Sequence, residues 1–359
     1  MPRIAAVLVV SAVTVPAAAW PPVLQDPELP SVDSESFPLD PALAPAVRFW
    51  AELFVKHDSS RVVLHDRQYL EIVWEVIDLP QTEDGRDDPA VSQKLIRDAT
   101  ESLRVRLRRL EQDPTPVDED DLVILSLAGG NDPSRLPGAW NRIRAQRGVA
   151  DRFRVGLAHA KPHLAGMQQI LAEEGVPPEI AALPFVESMF TPTARSSVGA
   201  LGIWQLMPAT ARSLGLKVGR GDDERTDIIK ATRAAAKMLK KNYQMLGTWP
   251  LAITAYNHGP NGVRRAVARV GSTDLVYLID NYEKATWGFA SKNFYAEFLA
   301  ATAVLADHDA DFAKSVRAAL LAAPLEPPPP ELEETLDADS GPEPDLEGDG
   351  AAAAAAEVR

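Results

Sequence analysis

Glu187 is the residue best placed to do chemistry. It lies in Leu183-Pro184-Phe185-Val186-Glu187-Ser188-Met189-Phe190, where the neighbours solvate a carboxylate poorly. Burial disfavours the charged form and raises a carboxyl pKa. A glutamic acid so raised stays protonated and donates its proton, as in lysozyme, where an apolar pocket lifts the value to about 6. Such an acid suits protonation of a leaving oxygen. Taken alone, the context favours a half-exposed Glu at a helix end. Downstream, Ala194-Arg195-Ser196-Ser197-Val198-Gly199-Ala200-Leu201-Gly202-Ile203-Trp204-Gln205-Leu206-Met207-Pro208 combines glycines, hydroxyls, an indole and an amide. Trp204 offers a flat face for a sugar ring, and Gln205 an amide that both donates and accepts. Ala255-Tyr256-Asn257-His258-Gly259 and Asn293-Phe294-Tyr295 add further polar and aromatic groups. Apolar walls with a few placed polar groups describe a ligand pocket, here one suited to carbohydrate.

These residues need a scaffold, and from 151 to 323 it reads as helical almost throughout. The spacing predicts helices over 153–174, 179–190, 225–246, 250–257, 262–270 and 291–306, with Gly247 closing the third. The 40–150 stretch is less distinct. Residues 46–55 and 91–111 read as helices; Val62-Val63-Leu64 and Ile72-Val73-Trp74 fit short strands or helix edges. The fold class expected is mainly α: a lysozyme-like helical domain over 151–323, preceded by a mostly helical accessory segment over 40–150.

Residues 1–19 read as a secretory signal, with Arg3 before an apolar stretch and Ala17-Ala18-Ala19 as cleavage site. A Pro-rich linker follows over 20–39. Residues 324–359 form an acidic Pro/Ala-rich tail; from Glu326 onward 11 acids face one base. High like charge with few apolar groups predicts disorder. The 359 residues carry 37 Lys+Arg against 51 Asp+Glu, net −14, and no cysteine. That balance argues against nucleic acid, and the missing cysteine excludes a thiolate metal site, a cysteine nucleophile and a lipidated N-terminus. An exported, periplasmic protein that is not a lipoprotein is expected. His159 and His163 are interrupted by Pro162 and lack a His-Glu-x-x-His pattern, so no metal or other cofactor is expected. Lys240-Lys241 and Arg264-Arg265 read as wet helix faces.

Four elements in order carry a family resemblance. Glu187-Ser188, Gly202-Ile203-Trp204-Gln205, Ala255-Tyr256-Asn257 and Tyr295 resemble the motifs of the family 1 lytic transglycosylases, most closely the membrane-bound lytic murein transglycosylase D type. The resemblance spans about residues 175–306 and implies a goose-lysozyme-like domain acting on peptidoglycan glycan strands. It implies Glu187 as the lone general acid/base. Ser188, Ser196, Gly202, Trp204, Gln205, Tyr256 and Asn257 would contact substrate or line the cleft, and Tyr295 would close it behind Glu187. Cell-wall synthesis or division proteins are candidate partners. The LysM repeats usual in that type are replaced here by the acidic tail.

Ordinary glycoside hydrolysis uses two carboxyl groups, and the sequence offers no convincing second one. Asp222, Asp223, Glu224, Asp227 and Glu179 read as solvated helix-start acids, and Glu173-Glu174 as an exposed pair. A lone acid suffices if substrate supplies the nucleophile, which is the family's route to 1,6-anhydromuramoyl ends. The alternatives are a lysozyme- or chitinase-like hydrolase and a non-catalytic wall-binding protein.

Overall fold

The computed structural model describes residues 35–82, 87–129, 134–219 and 221–308. The signal, most of the linker and the acidic tail lie outside them. The described residues form two compact units, 56–150 and 35–55 with 151–308.

The smaller unit is built on a three-stranded antiparallel sheet rather than on helices alone. β1 (Arg61–Asp66) is central, flanked by β2 (Val73–Asp78) and β3 (Ile143–Arg147). Most of the secondary structure in 40–150 is still helical, and two of the three strands fall on the segments the sequence allowed as short strands, Val62-Val63-Leu64 and Ile72-Val73-Trp74. The β1–β2 register pairs Val62 with Ile77 and Val63 with Val76, so β-branched side chains meet across the ladder. β3 (Ile-Arg-Ala-Gln-Arg) is polar and carries almost no apolar strand signal; its backbone pairing to β1 makes it a strand. Between β2 and β3 come α2 (Pro89–Gln112), α3 (Glu119–Leu127) and α4 (Ala139–Arg142). Asp88 caps α2 by accepting from the Ala90 and Val91 amides, and Pro89 fits the first turn. Leu103, Leu107 and Leu110 recur at helical spacing and join Val62, Leu64, Ile72 and Trp74 in one core.

The larger unit begins with α1 (Ala44–Val55), which the sequence grouped with the accessory segment. It packs instead on α13 (Phe289–His308), a helix apolar on nearly every side. The expected helix over 153–174 is two, α5 (Ala150–Ala160) and α6 (Leu164–Glu173). Pro162 lacks an amide hydrogen and clashes with the preceding turn, so the helix breaks there. Residues 178–182 form a 3-10 turn leading into α7 (Leu183–Ser188). α8 (Pro208–Ser213), α9 (Ile228–Leu246), α10 (Trp249–His258), α11 (Pro260–Val270) and α12 (Leu275–Asn281) complete the unit. Gly247 closes α9 with φ +82, as expected. The unit is the helical, lysozyme-like arrangement the sequence implied.

Candidate active site

Three segments converge on Glu187. The first is α7, short and wholly buried. Rings from α1, α5 and the 185–190 segment hold it: Phe54 stacks on Phe153 at 5.0 Å, Phe153 meets Phe185 at 4.7 Å, and Phe185 meets Phe190 at 5.5 Å. The chain leaves α7 through two left-handed residues, Met189 (φ 48) and Phe190 (φ 51). Non-glycine residues occupy that region at a cost and cluster at functional sites. The Met189 and Phe190 amides donate back to Phe185 and Pro184 carbonyls, closing the helix. Glu187 is 1% exposed, and neither carboxyl oxygen has a hydrogen-bond partner among the described residues. Burial first, and the charge of Glu297 second, push its pKa well above the ordinary value.

The second segment is the 194–207 loop. Its backbone folds on itself: the Gly202 amide donates to the Ala194 carbonyl at 2.9 Å, and that of Ser196 to Ala200 at 3.0 Å. Gln205 is left-handed (φ 44) and its Nε2 donates to the Ala194 and Gly202 carbonyls, while Oε1 is buried without a partner. Arg225 clamps both ends of the loop. Its Nη1 donates to the Gly199 and Leu206 carbonyls at 2.8 and 2.9 Å, and its other nitrogens pair with Asp223. Gly202 lies against the Arg225 carbonyl so closely that a Cβ would sit 2.0 Å from it.

The third segment is the C-terminal end of α10. Thr248 caps this helix by accepting from the Leu251 amide. At the other end Tyr256 donates to the Trp204 carbonyl at 2.7 Å, tying α10 to the loop. Burial and the neighbouring Glu187 charge raise the phenol pKa, which places Tyr256 beside the acid. Asn257 presents a buried Oδ1 with no partner among the described residues. His258, the last residue of α10, is half-buried. Its Nδ1 lies 2.8 Å from Ser291 Oγ, its ring meets Trp287 edge-on, and burial lowers its pKa.

Four residues expected at the cleft, Trp204, Ser188, Tyr295 and Ser196, have hydrogen-bond partners within the protein. Trp204 is fully buried and donates through Nε1 to Thr232 at 2.9 Å, so its ring anchors the loop and presents no face to a sugar. Ser188 donates toward the Pro184 and Ile203 carbonyls, fastening α7 to the loop. Tyr295 donates to the Pro38 carbonyl at 2.9 Å and lines a separate cavity of about 610 Å³ with Tyr243 and Trp249. It stands two residues from Glu297, about 200° around the helix, which turns it away from the side bearing Glu297. Ser196 Oγ accepts from the Ala200 amide at 2.9 Å.

The sequence missed Glu297, Arg225 and Thr232. Glu297 is 5% exposed on α13, which packs on α7. A carboxyl inside a helix as apolar as Phe294 to Leu305 is the signal that was available. Glu179 is likewise 3% exposed, not a solvated cap, and burial lifts its pKa to about 7. Asp227 does cap its helix, accepting from the Lys230 amide.

The site is a buried acid in a helical unit, with the unpartnered amide oxygens of Gln205 and Asn257 on the neighbouring segments. Residues 167–278 match the family model described as Transglycosylase SLT domain. The membrane-bound lytic murein transglycosylase D of Escherichia coli (strain K12) is 39% identical over 121 residues, 32% of this chain and 27% of that protein. A putative tributyltin chloride resistance protein of Alteromonas sp. (strain M-1) is 34% identical over 114 residues, 32% of this chain and 55% of that protein. The peptidoglycan transglycosylase gp16 of Escherichia phage T7 is 50% identical over 56 residues, 15% of this chain and 4% of that protein. The chain therefore spans about a quarter of the Escherichia coli relative. The matched segment holds Glu187, Gln205, Tyr256 and Asn257 but not α13.

Proposed function

We propose that the protein is a lytic transglycosylase that cleaves the β-1,4 bond between N-acetylmuramic acid and N-acetylglucosamine without water. The observation that carries this reading is Glu187: buried, raised in pKa and without a protein partner on either oxygen. Neutral Glu187 gives its proton to the glycosidic oxygen as the C1–O bond breaks. The acetamido group stabilises the positive charge at C1. Ionised Glu187 then takes the proton of the muramoyl C6 hydroxyl, whose oxygen bonds to C1, and the acid is restored. Intramolecular attack benefits from high effective molarity. Gln205 Oε1 and Asn257 Oδ1 accept from sugar hydroxyl or amide groups, and Tyr256 holds the loop that carries Gln205. The relatives named for murein and peptidoglycan transglycosylases support the substrate and a cell-envelope location; export to the periplasm is part of the proposal. Expected products are soluble fragments that lack new reducing ends. Sacculus clearance accompanied by stoichiometric reducing sugar contradicts the proposal.

One observation favours a hydrolase, the second buried carboxyl at Glu297. Two-carboxyl glycosidases place the second group to attack the sugar or activate a water. Glu297 sits within the most buried helix and acts on Glu187 through charge, so we assign it to keeping Glu187 protonated. Glu297→Gln should then lower the Glu187 pKa. The protonated acid is lost as pH rises through that pKa, so the alkaline limb of the pH–rate profile moves to lower pH. A general base would behave differently: its removal abolishes turnover at every pH.

A further inference from the structure

A second feature of the larger unit lies next to the site. α11 starts immediately after Tyr256-Asn257-His258-Gly259 and carries Arg265 and Arg269 one turn apart. Across from them, the end of α12 and the segment after it bring Asp280, Tyr282, Glu283 and Lys284. Together they line an open cavity of about 800 Å³.

The charges in this cavity are unspent. Arg265, Arg269 and Lys284 are exposed and form no ion pair among the described residues, although Asp280 and Glu283 line the same space. Two like charges at i and i+4 weaken a helix, so this spacing is not explained by helix stability. Arg269 alone favours the α11 C-terminus; Arg265, a turn earlier, does not share that explanation. The influence of these cations reaches the site: Arg265 and Lys284 both act on His258, the residue after Asn257.

We infer that this cavity binds the stem peptide of the muramoyl residue, with Arg265, Arg269 and Lys284 taking its carboxylates. The inference rests on the transglycosylase reading above. Guanidinium groups hold carboxylates by paired hydrogen bonds. Asp280 and Glu283 answer the free amine that a diamino acid contributes to such a peptide, so mixed charge suits a zwitterionic ligand better than a simple polyanion. The closeness of α11 to Tyr256 and Asn257 lets one muramoyl residue engage both places, and the binding energy of a remote group can serve the reacting one.

The test has two arms on the full-length protein. In the first, kcat/KM is measured on glycan strands with stems and on strands stripped by an amidase. The ratio between the two substrates should fall about ten-fold toward unity in Arg265→Ala/Arg269→Ala, and partly in Lys284→Ala. A ratio unchanged in the double variant overturns the inference. In the second, calorimetry follows binding of an isolated stem tetrapeptide and of a linear acidic peptide of equal charge. The stem peptide should bind more weakly as salt rises, with Kd about ten-fold higher in the double variant. Equal binding of the acidic control, or no change on substitution, overturns it. If the wild type cleaves neither substrate, the transglycosylase reading fails by itself, and the calorimetric arm still decides whether the cavity takes stem peptides.

Discussion

Glu187→Gln should reduce strand cleavage by about 10³-fold while leaving the fold intact. General acid–base groups contribute about 10²- to 10⁴-fold, and here one side chain serves both proton transfers. The amide matches the size of the neutral acid that the dry pocket favours, and neither carboxyl oxygen has a protein partner to lose. Thermal stability near pH 5 should therefore change by no more than about 1 kcal/mol. The pH dependence has a definite sign. The folded-state pKa of Glu187 lies well above 4.5, so its contribution to stability is complete below pH 4.5 and declines as pH rises through the folded value. The variant escapes that decline and gains on the wild type toward alkaline pH. Sacculus turbidity and calorimetric melting measure the two effects. Retained clearance removes Glu187 from the mechanism.

Gly202→Ala should have the next largest effect, on stability and activity together. Gly202 has φ +83, and an added Cβ meets the Arg225 carbonyl at 2.0 Å. Left-handed backbone costs an L-residue about 1–2 kcal/mol, and the overlap forces the loop from its clamp at about 1–3 kcal/mol more. A total of about 3 kcal/mol lowers Tm by about 6–12 °C for a domain of this size. Gln205 bonds the Gly202 carbonyl directly, so the loop's movement displaces its amide; a misplacement of about 1 Å can cost about 10²-fold in rate. Gly215→Ala separates strain from contact. Its φ is +90 but a Cβ there meets nothing within 4 Å, so it should lose about 1–2 kcal/mol with activity retained. Equal losses in the two variants contradict the clamp.

Most of the helical unit was legible because its helices carry strong punctuation. Asp227 and Gly247 bracket α9, and Thr248 and Gly259 bracket α10. Where punctuation sat inside a periodic stretch it was overlooked, as at Pro162. β3 was illegible for a different reason: an edge strand of Arg, Gln and Ala is specified by its neighbour's hydrogen bonds and not by its own side chains. At the site, residue type revealed Glu187, Gln205 and Asn257, which keep polar atoms free of protein partners. At Trp204 residue type does not discriminate, since an indole reads alike whether it faces a sugar or, as its buried bond to Thr232 places it, anchors a loop. Glu297 escaped because it is distant in sequence and outside every motif. Charge coupling between two buried acids arises only when the helices pack.

The account's central claim is that the substrate, and not water, supplies the second nucleophile. Digestion of purified sacculi in water enriched in ¹⁸O, followed by mass spectrometry of the muropeptides, tests it most directly. The account predicts muramoyl ends one water lighter than hydrolysed ends and free of the heavy isotope. Ends that carry the full water mass together with ¹⁸O would contradict it and make Glu297 the base of a hydrolase.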